Sequence, residues 1–72
     1  DSTGIRFDNL TNESRVRIYT ISGQKVCDED PSSSIWIWDG KNMSGRSVVS
    51  GTYLYIITDG AQKKTGKLTI IK

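Results

Sequence analysis

Two stretches of this chain alternate apolar and polar side chains with a period of two, and no stretch repeats at the helical spacing. In Arg15 to Ile21, Val16 and Ile18 fall on one face, with Arg15, Arg17 and Tyr19 on the other. In Thr52 to Thr58, Tyr53, Tyr55 and Ile57 share a face. Successive side chains of an extended strand point to opposite sides of a sheet, so each pattern describes a half-buried strand. Shorter segments follow the same rule. Ile5 and Phe7 alternate with Arg6 and Asp8. Gln24 to Cys27 returns after a Ser22-Gly23 turn and makes a hairpin. Ile35 to Trp38 sets Trp36 and Trp38 on one face against Ile35 and Ile37 on the other. Thr65 to Ile71 forms the last strand, with Leu68 and Ile70 inward; Lys67 to Lys72 is expected at or near a sheet edge, with Lys67, Thr69 and Lys72 facing out, since lysines guard such edges. Six short strands separated by turn signals predict a β-sandwich. Its expected core is Ile5, Phe7, Val16, Ile18, Trp38, Tyr53, Tyr55, Ile57, Leu68 and Ile70.

The connections are legible as well. Asp28 to Ser34 holds the one proline, Pro31, among acids and serines, and reads as a surface loop. Asp39-Gly40 and Asp59-Gly60 are turn signals. Between Trp38 and Tyr53 runs a loop rich in Gly, Asn and Ser, which Val48 is expected to plug; Leu10 is expected to cover one end of the core.

Size limits what such a chain can do. Ordering 72 residues costs about 1.5 kcal/mol each, which a core this small barely offsets. A single cysteine, Cys27, permits no internal disulfide, and the absence of histidine removes the commonest zinc ligand and the usual general base. The expectation is a single domain over residues 1–72, cut from a larger protein and leaning on a neighbour. The formal net charge is +2. Lys63, Lys64, Lys67 and Lys72 cluster near the end of the chain, which reads as a solvated strand face. No Arg-rich groove or nucleic-acid motif accompanies them, so no nucleic-acid partner is expected. No apolar run approaches the ~20 residues that span a bilayer, so no direct membrane insertion is expected either.

The candidate chemistry is weak. Asp39 and Asn42 could be two oxygen ligands of calcium, but calcium wants more, and Asx-type capping of loop amides explains both better. Trp36 and Trp38 could stack on a sugar; a sandwich core also uses tryptophan as filler, and Trp38 is assigned there. Tyr53, after Ser50-Gly51 at a strand start, stands where sandwiches place a tyrosine that bonds back to an upstream backbone group. Gly51 is expected to serve a backbone need, a positive φ or close packing. Cys27 has no histidine to activate it and reads as a small semi-buried strand residue. Asp28 and Asp30, on a loop without aromatic walls, have nothing to tune them for acid–base work. No catalytic residue, metal site or cofactor is expected, and the chain reads as a non-enzyme.

One combination of blocks is more specific than any single motif. Val16-Arg17-Ile18-Tyr19 is followed by Gly23 and Val26, then by Trp38-Asp39-Gly40-Lys41-Asn42, Ser44-Gly45, Val48 and Ser50-Gly51-Thr52-Tyr53. Gly66-Lys67-Leu68-Thr69-Ile70-Ile71-Lys72 closes the series. Nearly the whole chain thus resembles a family of bacterial C-terminal domains. Its members include the immunoglobulin-like domain of flagellar hook-capping proteins and the sorting domains of type IX secretion cargo. The Trp38–Asn42 block is closer to the hook-cap branch, and the Lys67–Lys72 strand to the sorting branch. The resemblance implies an all-β, immunoglobulin-like sandwich of about six to seven antiparallel strands. It implies a structural motif of Trp38, Asp39, Gly40, Asn42, Gly45, Gly51 and Tyr53. It also implies recognition of Lys67, Leu68, Thr69, Ile70, Ile71 and Lys72 by secretion or outer-membrane attachment machinery. The Asn-Pro that commonly opens these domains is missing, which implies a lost first strand and, with it, strand exchange or a homodimer. The implied location is the bacterial cell surface or exterior. Alternatives are a purely structural assembly domain and a carbohydrate-binding module with a glycan partner.

Overall fold

The alternating stretches are the centre of the fold. The computed structural model describes residues 4–11, 13–31 and 33–71. They form six strands: β1 (Ile5–Phe7), β2 (Ser14–Thr20), β3 (Lys25–Glu29), β4 (Trp36–Trp38), β5 (Gly51–Asp59) and β6 (Gln62–Ile70). One sheet has the order β3-β2-β5-β6, and β1 pairs with β4 in a second sheet of two strands. Every pairing is antiparallel. The result is an all-β, immunoglobulin-like sandwich.

The apolar faces meet between the two sheets. Phe7, Leu10, Val16, Ile18, Val26, Cys27, Trp38, Val48 and Tyr53 are buried, with Ile5, Trp36, Tyr55, Ile57, Leu68 and Ile70 packed against them. All ten expected core residues therefore lie in or against the core. Trp36 is half-buried and stacks on Phe7 (centroids 5.5 Å, interplanar angle 26°), and the edge of Tyr55 meets Phe7 at 5.3 Å. Ile35 and Ile37, on the opposite face of the β4 stretch, are exposed. Leu10 and Val48 take the covering and plugging positions expected of them. Val26 and Cys27 are adjacent in sequence yet both buried, because the β2–β3 register shifts between Ile18 and Tyr19. A bulge of this kind lets neighbouring residues face the same side.

Several boundaries differ from the sequence reading. Asp28 and Glu29 belong to β3, not to the following loop. Asp28 pairs with Arg17 across the ladder, and its carboxylate sits under three cations: Arg15 Nε at 2.8 Å, Lys25 Nζ at 3.2 Å and Arg17 Nε at 3.7 Å. Ile21 lies in the β2–β3 turn and is exposed; the turn closes at Thr20, whose N–H donates to Gln24 O. β6 begins at Gln62, three residues earlier than expected. The Gly60-Ala61 connection is a two-residue turn that leaves no slack, so pairing starts at Asp59–Gln62. Ile71 falls just past β6 and is 84% exposed; Lys72 lies outside the described residues.

Candidate functional site

Two regions carry the candidate residues: the loop between β4 and β5, and strand β6. The loop folds on itself through backbone and side-chain bonds. The indole N–H of Trp38, a residue 1% exposed, donates to Lys41 O at 3.0 Å. Asp39 Oδ1 accepts from Lys41 N–H at 3.1 Å. Asn42 Oδ1 accepts from both Ser44 N–H (2.9 Å) and Arg46 N–H (3.1 Å). These carboxylate and amide oxygens cap loop amides, as Asx turns do. Gly40 and Gly45 hold φ of +77° and +83°, which glycine adopts without a Cβ penalty. Lys41 and Ser47 form a bridge, so the loop is a small hairpin.

This hairpin also reaches one sheet edge, where Met43 N–H donates to Val26 O of β3 at 3.1 Å. The loop returns through Val48, whose N–H bonds Gly40 O, to Tyr53, whose hydroxyl donates to Val49 O at 2.7 Å. That bond fixes the entry to β5, as the position of Tyr53 after Ser50-Gly51 predicts. Trp38 and Tyr53 meet edge to face at 6.0 Å. Gly51 has φ +156°, at the margin of the region L side chains avoid, and nothing lies within 4 Å of where its Cβ would be. Of its two expected roles, the positive φ is met and the close packing is not.

β6 lies at the other edge of the four-stranded sheet. Leu68 and Ile70 face the core side and are half-buried, whereas Lys67 and Thr69 are exposed. Among the described residues, β6 has backbone pairing with β5 alone. Sequence alternation placed these side chains correctly. The edge position expected from the lysines is met as well; the Met43 bond at the opposite edge could not be foreseen, because Met43 comes from a loop remote in sequence.

The sugar-stacking alternative finds little support in this geometry. Neither tryptophan is exposed: Trp38 is in the core and Trp36 rests on Phe7. Cys27 is a buried free thiol. Burial, with the nearby Glu29 carboxylate adding to it, raises its pKa from 9.0 to about 11, so it is protonated at neutral pH and a poor nucleophile.

With the fold and the open edge described, the comparisons with known proteins give the family. Residues 1–71 match the CHU_C type IX secretion signal domain. The chain belongs to that family. It is a signal domain that directs the protein carrying it to type IX secretion, and so to the cell surface or exterior, in association with the outer membrane. A solved structure shares its fold with a TM-score of 0.80 over 96% of this chain, at 20% identity. That structure is PorZ, described as an essential bacterial surface component of the type IX secretion system of Porphyromonas gingivalis. The signal domain spans 10% of the PorZ chain, and at such identity the likeness is one of fold. No curated protein matches the chain.

Proposed function

We propose that the secretion machinery recognises the folded signal domain at the end of β6, through Lys67, Leu68, Thr69, Ile70, Ile71 and Lys72. The domain acts by being bound and has no catalytic step of its own. The sandwich presents this segment, and the Trp38–Tyr53 loop holds the sandwich together behind it. The observation that carries the reading is the position of β6 at an open sheet edge, with Lys67 and Thr69 exposed and Leu68 and Ile70 anchoring the strand to the core. An edge strand carries backbone groups without partners, and a binding protein can engage them directly.

Deleting residues 69–72 from the full parent protein tests this reading. Export of the parent should be blocked while the truncated domain keeps a cooperative melt. A parent that still reached the surface at normal levels would favour the other assignment, a structural domain that assembles with its neighbours. Fusing the domain to an inert passenger gives the converse test, since the passenger should be exported.

A further inference from the structure

We propose that the partner of this domain is an extended, acidic protein segment that adds as a fifth strand to the open edge of β6. The proposal rests on the β6 reading above and names the chemistry of what binds there.

The four-stranded sheet has two edges, and they differ. The β3 edge carries one loop bond, from Met43 N–H to Val26 O. At the other edge, the register fixes which backbone groups of β6 are free. Gly60 is the first central residue of the β5–β6 turn, with φ +61°, and Ala61 has no positive φ, as a type II′ turn requires. Such a turn makes Asp59–Gln62 a hydrogen-bonded pair. Bonded and non-bonded pairs then alternate along the ladder, so Gln62, Lys64, Gly66, Leu68 and Ile70 face β5. Lys63, Thr65, Lys67 and Thr69 point their N–H and C=O groups away from the sheet. Among the described residues, four consecutive alternate residues thus offer an unpaired ladder.

Charge decides what fits. The outward N–H and C=O groups lie in the plane of the sheet; the side chains of Lys63 and Lys67 share one face, that of Lys64 lies on the other, and all three are exposed. From Gly60 onward the chain has no acidic residue. A second copy pairing through its own β6 would bring two sets of lysines to one edge, directly opposed in the register that pairs Lys63 with Lys67, which cross-strand packing disfavours. A segment with Asp or Glu at alternate positions meets Lys63 and Lys67 on one face, and apolar residues on its other face reach Leu68. At Gly66 the space a side chain would take is filled by the Tyr55 ring, which brings its hydroxyl, a group that can donate, over the edge strand.

The test separates backbone from charge and uses the full parent protein. Thr65→Pro removes one outward N–H and no β5–β6 bond; edge strands tolerate proline there. Lys63→Glu with Lys67→Glu reverses the charge, and Lys41→Glu, on the β4–β5 loop, is the control. Each variant is scored for exported parent and for thermal unfolding. Thr65→Pro and the double reversal should each cut export about tenfold with an unfolding midpoint near the parent's, and Lys41→Glu should leave export unchanged. Because proline can also perturb a strand, a second measurement uses amide exchange on adding a capped alternating Glu-Val hexapeptide. The Lys63, Thr65, Lys67 and Thr69 amides should slow, with Lys64, Gly66 and Leu68 already slow. Slowing of the outward set supports strand addition even if Thr65→Pro is unstable, and absence of slowing overturns it. A loss on charge reversal with full export of a folded Thr65→Pro overturns it in favour of adsorption to an anionic surface. If the 69–72 deletion blocks export and neither variant does, strand addition is wrong and recognition at the end of β6 stands. If the deletion is exported normally, the reading beneath the proposal fails first.

Discussion

Tyr53 and Cys27 illustrate how single positions are set by what surrounds them. The Tyr53 hydroxyl makes one bond, to Val49 O, while its ring packs on Trp38. Tyr53→Phe keeps the ring and loses the bond. Urea unfolding should show a loss of about 1 kcal/mol, the net value of an ordinary hydrogen bond; a loss several times larger would mean the hydroxyl organises the whole loop. Cys27 has the opposite character, a polarisable group kept protonated by burial. Its folded pKa, about 11, lies above the value of 9.0 in an exposed chain. Stability is therefore unaffected below the lower value and falls as pH rises through the higher one, because the unfolded chain ionises first. Iodoacetamide at pH 8 should label the native protein far more slowly than the urea-unfolded one, and equal rates would refute the burial argument.

At the scale of strands, two cross-strand contacts fasten the sheet. The β2–β3 pair is tied by Asp28 beneath Arg15, Lys25 and Arg17. The hydrogen bond from Arg15, then that from Lys25, holds the Asp28 carboxyl below the usual carboxylate range. A depressed folded pKa contributes stability that is complete above the unfolded value and disappears as pH falls through the folded one. The acid limb of a urea-midpoint profile should accordingly flatten in Asp28→Asn. The β5–β6 pair is fastened by Tyr55 over Gly66: a methyl group on Gly66 would sit 2.8 Å from Tyr55 Cε2. Gly66→Ala should cost about 1–3 kcal/mol by overpacking. In a Tyr55→Leu background the same change should be near neutral, since the ring it strikes is gone. A cost that persisted there would place the problem in the backbone.

For the whole molecule the margin is small. A domain of 72 residues has about 4–11 kcal/mol of stability at the usual yield per residue. Trp38 fills the centre, 1% exposed, and joins both sheets through Ile5 across the β1–β4 ladder and Tyr53 on β5. Trp38→Ala should remove about 3–5 kcal/mol through the cavity it leaves. Circular dichroism should then show a broad, low transition or none at all, whereas a sharp melt near the parent's would mean the sandwich closes without its central side chain. Since the proposed recognition needs β6 held at a sheet edge, the same substitution should lower export as well.

The sequence by itself determined the strands and their inward faces. Period two is imposed by the extended backbone, so Val16 with Ile18 and Tyr53 with Tyr55 could be assigned to the core without knowing their partners. It also determined the loop chemistry at Asp39, Gly40 and Asn42, because Asx capping and positive φ are local properties of those residue types. The family was legible in the combined blocks from Val16 to Lys72. What the tertiary structure decided is whatever depends on neighbours distant in the chain. The Asp28 side chain reads as a loop acid until Arg15 and Arg17 arrive beside it on β2. Val26 and Cys27 break the alternation because the β2–β3 register shifts opposite them. The lysines of Gln62 to Ile70 point to an edge strand, and β6 is one; what they do not state is which strand it pairs with and what meets the opposite edge. That follows from the strand order and from the Met43 bond at the other side, and both are set by long-range packing.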